Sequence, residues 1–277
     1  MNIQHLRYFL AVMDTGSISH AAETLGVTQP TLSVALKRIE QEFATRLFVP
    51  DGRGIMPLPE AKRLEQRVRP LVNALMDIRR ELASNPSPRT RLGIAQSLSE
   101  PWASRLVSWC GSRVEIVEGL PDELEKKVAE GSLDIAFTIL PTKRKLPQKA
   151  LFHDAYQLFV GPTHQFVGRP RMLIRELDRQ PFVMRLGCEF LGSGRKLLDE
   201  ARVRVAVVAR TRQESTAAAL VAAGIGCTIA PDSWARPGLH SIAFADFSME
   251  RTVGVAWKSV RYASTANTIG KHLGAMR

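Results

Sequence analysis

The chain has 277 residues, of which 45% are hydrophobic, and a net charge of +11. This length allows about two domains, and no apolar run approaches the roughly 20 residues of a membrane-spanning helix, which argues against an integral membrane protein. The N-terminal residues lack the apolar core of a secretory signal peptide, so we expect a cytoplasmic protein rather than an exported solute-binding protein.

The first predicted element is an amphipathic helix near the N-terminus. Its apolar residues recur at helical spacing, at Ile3, Leu6, Phe9, Leu10 and Met13. Such a helix needs a partner to cover its apolar face, and the next segment is predicted to supply two further helices.

Residues 16–40, GSISHAAETLGVTQPTLSVALKRIE, predict two short helices around a tight turn. Ser17 and Thr28 suit helix N-caps, and Gly26 suits the left-handed residue that ends a helix. The second helix buries its apolar stripe and leaves a polar side, comprising Gln29, Thr31, Ser33 and Lys37. Short polar groups at a helix N-terminus, followed by a cation, are typical of a helix that enters the DNA major groove. The alternative is an ordinary helical hairpin with a solvated face.

A small β-wing is predicted to follow. Leu47 and Phe48 are apolar anchors, and Asp51-Gly52 and Arg53-Gly54 are turn signals between short extended pieces. Arg53 at the tip could reach phosphate or the minor groove. Three helices and a wing indicate a winged helix-turn-helix.

This N-terminal part resembles the DNA-binding signature of the LysR-type transcriptional regulators. The matching residues are Ser17, Ser19, Ala21, Ala22, Val27 to Pro30, Ser33, Ile39, Glu40, Leu47 and Phe48. The sequence departs from the family pattern at Ala44 and Lys62, where glycine is common, at Pro50, where arginine is favoured, and at Pro59, where threonine is common.

The resemblance implies a sequence-specific regulator that reads a pseudo-palindromic operator as a homodimer or homotetramer under control of a small-molecule effector. RNA polymerase is a further partner that it allows. Gln29, Pro30, Thr31 and Ser33 are then expected in the major groove, with Lys37 and Arg53 on the backbone or minor groove.

A longer helix follows with its apolar residues in an a/d heptad pattern, at Leu64, Val68, Leu71, Leu75, Ile78 and Leu82. A helix of this kind needs a partner, so we interpret it as a dimerisation helix; the alternative is a helix that lies on its own domain. The Pro- and Ser-rich residues 84–90 then predict a hinge.

Beyond the hinge, strands and helices alternate, which predicts a mostly parallel α/β sheet in two lobes. The order resembles the effector domain of the LysR family, which is similar to type 2 periplasmic binding proteins. The predicted domains are the winged helix-turn-helix at 1–59, the linker helix at 60–83, the hinge at 84–90 and the effector domain at 91–277. Lobe I covers about 91–160 and 261–277, and lobe II about 161–260.

Ligands of open α/β sheets gather at the carboxyl ends of strands, and the resemblance places the effector cleft there. The candidate residues are Ser97, Ser99, Thr138, Arg185, Gln213 and Ser215. Residues 1–87 hold 11 Lys and Arg against 9 Asp and Glu, whereas residues 88–277 hold 27 against 18. This surplus is consistent with nonspecific attraction to DNA and equally with an anionic effector. Ordinary solvated surface is the alternative for most of these arginines. Plain helix capping by Ser99 and Ser215 is the alternative for these hydroxyls.

The sequence shows no catalytic constellation, metal-ligand spacing or cofactor motif, so we expect neither an enzyme nor a metal or cofactor site. Cys110, Cys188 and Cys227 are widely spaced and indicate buried, reduced thiols. Cys188 lies in a glycine-containing loop near the predicted cleft, so a redox-sensing regulator is an alternative within the family. A solute-binding protein or an enzyme on the two-lobed fold is the alternative outside it.

Overall fold

The computed structural model describes residues 2–52, 54–82, 90–110 and 113–274. For Asp77, Arg80, Glu81, Leu82, Arg261, Leu273 and Gly274 it describes the backbone alone. Arg53 and residues 84–89 of the expected hinge therefore lie outside the described residues, as does the side chain of Leu82. The chain divides into two compact units, Met1–Pro86 with Glu130–Ser132, and Ser87–Ala129 with Leu133–Arg277.

The first unit contains the predicted helices and wing. Its elements are α1 Ile3–Thr15, α2 Ile18–Leu25, α3 Gln29–Glu42, β1 Phe48–Asp51, β2 Gly54–Pro57 and α4 Pro59–Leu82. Ser17 caps α2 by accepting the His20 N–H, and Gly26 ends that helix with φ +65°, a left-handed conformation that glycine adopts without strain. The two wing strands pair antiparallel.

The core of the first unit lies where the three short helices meet. Phe9 of α1, Leu32 and Ile39 of α3, and Leu47 before the wing are fully buried. Ala21 of α2 is also fully buried, and its small side chain lets the helices approach closely.

The linker helix α4 carries two apolar stripes. Val68 and Val72 are buried in the core of the first unit, and Leu64 and Met76 pack against them. Val72 and Met76 lie outside the predicted heptad seam, whereas Leu64 and Val68 belong to it. The seam residues Leu71 and Ile78 are instead 66% and 50% exposed, and Leu75 is partly buried. The predicted seam therefore divides: its first two residues face the helix's own domain, and Leu71, Leu75 and Ile78 form the outer stripe.

The second unit is a two-lobed α/β structure. Its helices are α5 Gln96–Cys110, α6 Pro121–Ala129, α7 Leu191–Glu200, α8 Glu214–Ala222 and α9 Ala263–Gly274. Its strands are β3 Thr90–Ala95, β4 Val114–Gly119, β5 Ile135–Leu140, β6 Gln148–Val160, β7 Arg171–Met172, β8 Pro181–Arg185, β9 Ala206–Thr211, β10 Thr228–Pro231, β11 His240–Phe244 and β12 Glu250–Trp257.

The sheets are mixed. Strands β3, β4 and β5 pair in parallel, as do β8 and β9 and also β7 and β11. Antiparallel pairing joins β12 to β5 and β6, and joins β6 to β10 and β11. The expectation of a mostly parallel sheet was therefore wrong for the centre of the structure, because the chain returns through two long strands that run against their neighbours.

The lobes share the strands β6 and β12. The first half of β6 pairs with β12 and its second half with β10 and β11. Strand β12, which was predicted to lie in lobe II, pairs with β5 of lobe I over residues 252–257. One apolar core lies under β3, β5 and β12, and two others lie in lobe II around Phe182 and Trp234.

Candidate DNA interface and ligand cleft

The polar side of α3 is exposed as the sequence predicted. Thr28 caps the helix by accepting the Thr31 N–H at 3.4 Å. Gln29, Pro30, Thr31 and Lys37 are exposed, and Ser33 is half-buried. These groups therefore stand together at the N-terminal end of the second helix of the helix-turn-helix, where such motifs contact base edges.

Val34 also belongs to this face, although it was not among the predicted residues. Its side chain is 51% exposed, on the turn of α3 that follows Thr31. The helical period is the signal that could have found it, because positions 31 and 34 lie on one face. An exposed valine on a helix that enters the major groove can contact a thymine methyl group.

Glu40 connects α3 to the wing. Its Oε1 accepts the backbone N–H of Leu47 at 2.8 Å and that of Phe48 at 3.4 Å. In the segment between Glu40 and Leu47, Ala44 adopts φ +47°, the left-handed conformation that glycine accommodates more readily. The carboxylate at position 40 thus fixes the wing against α3.

In the second unit, the predicted residue Ser97 lies in a buried polar network. Its hydroxyl donates to Glu189 Oε2 at 3.0 Å and accepts from Arg251 Nη1 at 2.8 Å. Glu189 Oε1 in turn accepts from Tyr156 Oη at 2.7 Å and from Arg251 Nη1 at 2.5 Å. Glu189, Tyr156 and Arg251 were not predicted, because they come from three distant parts of the chain.

Asp154 completes this network by binding the part of the Arg251 guanidinium that does not contact Ser97 and Glu189. Its Oδ2 accepts from Arg251 Nε at 2.9 Å and from Arg251 Nη2 at 2.8 Å. The same carboxylate accepts the backbone N–H and the hydroxyl of Ser233. With side chains only 3% and 2% exposed, Arg251 and Asp154 form a buried ion pair that fixes the guanidinium orientation.

Arg185 lies in a second buried pair inside lobe II. Its Nε donates to Glu214 Oε2 at 2.7 Å, and the same oxygen accepts from Trp234 Nε1 at 2.8 Å. Burial is the largest influence and opposes the charged form of Arg185, but the neighbouring Glu214, Cys188 and Glu189 groups together outweigh it, so the pKa of Arg185 is raised. Among the described residues, Arg185 Nη2 has no hydrogen-bond partner.

Two of the other predicted hydroxyls and the predicted amide line a groove. Ser99, Gln213 and Ser215 face an open space of about 520 Å³ between α5 and the start of α8. The further lining residues are Gln96, Glu100, Ala103, Glu118, Arg212 and Glu214. Ser99 Oγ donates to Glu118 rather than capping a helix, so the capping alternative does not describe it.

Thr138 is separate from both the network and the groove. It is fully buried on β5, and its hydroxyl has no hydrogen-bond partner in the described part of the chain. The structure therefore gathers Ser99, Gln213 and Ser215 along the groove. It places Ser97 with Glu189, and Arg185 with Glu214.

Of the three cysteines predicted to be buried, Cys227 is buried, whereas Cys110 and Cys188 are half-buried. Burial raises the pKa of Cys110, and it raises that of Cys188 despite the opposing Arg185 guanidinium. Burial also raises the pKa of Cys227 to about 12. Cys188 Sγ donates to the Arg185 carbonyl at 3.2 Å, and Cys227 Sγ to the Pro181 carbonyl at 3.3 Å.

Within the described residues, no three His, Cys, Asp or Glu side chains gather as a metal ion would require. Over the same residues, none of the helices is long and apolar enough to cross a bilayer.

Two family models match the chain. Residues 3–62 match the bacterial regulatory helix-turn-helix protein of the lysR family, and residues 83–268 match the LysR substrate binding domain. A curated relative is the uncharacterized HTH-type transcriptional regulator YwbI of Bacillus subtilis, 24% identical over 96% of this chain and 93% of that protein.

Solved structures share the whole fold. Full-length OxyR C199D from Pseudomonas aeruginosa is 21% identical and covers 97% of this chain and 94% of its own, with a TM-score of 0.73. Full-length CbnR, crystallised with its target DNA, is 16% identical over 100% of both chains, with a TM-score of 0.67. The chain therefore belongs to the LysR family of DNA-binding transcriptional regulators and is not an enzyme.

Proposed function

We propose that the protein reads a pseudo-palindromic operator as a homodimer or homotetramer and that a small-molecule effector controls this activity. The observation that supports the DNA-binding part of the proposal is the face of α3, where Gln29, Pro30 and Thr31 are exposed at the helix N-terminus. Such a regulator works at the chromosome in the cytoplasm, where RNA polymerase is a further partner.

The candidate DNA-contacting side chains of α3 and the wing divide into two roles in this proposal. Gln29, Pro30, Thr31 and Ser33 contact base edges and give specificity. Lys37 and Arg53 contact the sugar–phosphate backbone or the minor groove and give affinity that depends on salt. The outer stripe of α4, with Leu71, Leu75 and Ile78, supports pairing of two chains, because these apolar side chains face away from the core of their own unit.

The effector, in this proposal, is a small carboxylate that binds between the lobes. Ser97, Ser99, Gln213 and Ser215 are its candidate hydrogen-bonding partners, and Arg185 is a candidate charge partner; the predicted Thr138 is too deeply buried on β5 to take part. Support comes from the hydroxyls of Ser97 and Ser99, each of which donates to a carboxylate of the chain itself. Three glutamates in the groove oppose an anion there, so the carboxylate end of the effector belongs at the inner network near Ser97.

The proposed operator recognition is tested by selecting binding sites from random duplex DNA with the full-length protein. We expect enrichment of two related half-sites in inverted orientation, about one helical turn or a multiple apart. Recovery of unrelated sequences after several rounds would contradict the proposal.

The proposed effector control is tested on the same protein by a thermal-shift screen that compares small carboxylates with their neutral amides. A ligand that binds only the folded state must raise the Tm. A compound that raises the Tm should also change the affinity for the selected operator. A screen in which only neutral or cationic compounds act on both readouts would contradict the carboxylate assignment.

Redox control through Cys188 is the alternative within the family. Its position beside Arg185 is the observation in its favour. Burial, however, raises the pKa of Cys188, and the thiolate is the form that reacts with oxidants. The structure therefore favours ligand control over thiol oxidation.

A further inference from the structure

One carboxylate of lobe II is bound by groups that lie outside its own loop. Glu189 belongs to residues 186–190, which connect β8 to α7. Both of its oxygens are engaged: Oε2 by Ser97 of α5, and Oε1 by Tyr156 of β6 and Arg251 of β12. A loop of one lobe is thus joined to the first turn of a helix in the other.

The three groups around this carboxylate are all donors. Asp154 engages Nε and Nη2 of Arg251 and leaves Nη1 directed at Ser97 and Glu189. Burial and the neighbouring Glu189 carboxylate raise the pKa of Tyr156, so its phenol stays protonated and donates. A hydroxyl, a phenol and a guanidinium N–H that converge on two oxygens form a carboxylate-binding site.

The loop that carries Glu189 is closely packed against this site. A Cβ atom at Gly187 would lie 2.8 Å from Gln96 Oε1 of α5 and 2.8 Å from the Arg212 carbonyl, so only glycine fits there. The Phe190 ring stacks on Tyr156 with centroids 4.4 Å apart. The Glu189 side chain is nevertheless 18% exposed, so the site is open to solute at one edge.

We propose that Glu189 is a built-in ligand that occupies the binding site for the effector's carboxylate, and that the effector acts by displacing it. Displacement frees the loop 186–190 from α5 and thereby changes how the lobes are held together. The inference rests on the proposed effector control. A tethered carboxylate has a high effective concentration, so a simple monocarboxylate will not displace it, and an effective ligand must make additional contacts.

The experiment removes the built-in ligand and supplies a free one. Glu189→Ala in the full-length protein leaves Ser97, Tyr156 and Arg251 facing a space that acetate can fill. With a millimolar dissociation constant, on the order of 100 mM acetate should raise the Tm of this variant by about 3–6 °C. The wild type and the matched control Glu200→Ala, on the exposed side of α7, should show no such shift at equal ionic strength, and acetamide should act on none of them.

A second readout tests the displacement itself. Acetate should move the DNA affinity of Glu189→Ala toward the wild-type value by roughly fivefold or more, and should leave the wild type unchanged. Equal Tm shifts in all three proteins would overturn the carboxylate site. A Tm shift confined to Glu189→Ala without any change in DNA affinity would overturn the displacement role. Failure of the proposed function is visible separately, as absence of specific DNA binding by the wild type.

If Glu189→Ala does not fold, Glu189→Gln keeps the shape and removes the charge. Hydrogen exchange in residues 186–190 should then be faster than in the wild type, because a neutral amide binds Arg251 more weakly than a carboxylate does. Unchanged exchange in these residues would overturn the inference.

Discussion

Arg69 on the linker helix α4 forms a two-bond ion pair with Asp14 near the end of α1. Nη2 lies 2.6 Å from Asp14 Oδ1, and Nη1 lies 3.2 Å from Oδ2. The same guanidinium donates to Glu65, one turn earlier on α4. The pair fixes the direction of the linker helix relative to the helices that carry the DNA-binding face.

We expect Arg69→Met to lower the free energy of unfolding by about 0.5–1 kcal/mol, because Asp14 is more than half exposed and water screens the pair. The affinity for a two-half-site operator should fall further than the affinity for one half-site, since the relative placement of paired domains is loosened. Urea unfolding and fluorescence anisotropy measure the two effects. Arg63→Met, which removes an exposed pair with Glu60, is the control. Equal losses in both variants would contradict this role for Arg69.

The two stripes of α4 should respond differently to a charge. The double variant Leu71→Glu with Ile78→Glu should be monomeric and still folded, because both side chains are exposed in the single chain. Val72→Glu should instead unfold the first unit, since it buries a carboxylate in an apolar core. Light scattering and circular dichroism separate the outcomes. An unchanged mass for the double variant would show that pairing does not use the outer stripe.

Ala44 is a site where a smaller residue should stabilise the protein. Its φ of +47° strains an L side chain, at a cost of roughly 1–2 kcal/mol, and glycine relieves the strain while adding chain entropy to the unfolded state. Ala44→Gly should therefore raise the free energy of unfolding by up to about 1 kcal/mol. Ala74→Gly, at an exposed position inside α4, should lower it by about 1 kcal/mol. Destabilisation by both changes, measured by urea unfolding, would exclude strain at Ala44.

The thiols should be slow to react at neutral pH. Because burial raises the pKa of Cys188 and raises that of Cys227 to about 12, their thiolates form only above the pH at which an ordinary thiol titrates. Mass spectrometry after brief peroxide treatment at pH 7 should show unmodified Cys188, and the modification rate should rise with alkaline pH. Rapid, selective oxidation of Cys188 at pH 7 would instead support redox control.

Local patterns in the sequence predicted the elements of the DNA-binding unit. The cap residues Ser17 and Thr28 and the left-handed Gly26 mark helix ends through interactions within a few residues, so the pattern contains them. The division of the α4 stripe was not predictable, because the residues of one helix face can pack on their own domain or on a partner. Only the position of α1 and α3 shows that Val72 and Met76, outside the heptad, face inward.

The surroundings of the candidate ligand-binding residues were predicted less well for a related reason. Ser97 and Ser99 were found as hydroxyls at a strand end, but their carboxylate partners come from other elements. Glu189 is separated from Ser97 by 92 residues, and Arg251 by 154. No periodicity or spacing links such groups, so the network that joins the lobes is visible only in three dimensions.

The most direct measurement of the central claim is the affinity of Gln29→Ala for specific and random DNA, with Lys37→Ala as the matched variant on the same helix. Gln29→Ala should lose about 1–3 kcal/mol on the selected operator and far less on random duplex, because a base contact is lost. Lys37→Ala should weaken both duplexes alike and flatten the salt dependence. A loss in Gln29→Ala that is equal on both kinds of DNA would contradict the assignment of the α3 face to sequence recognition.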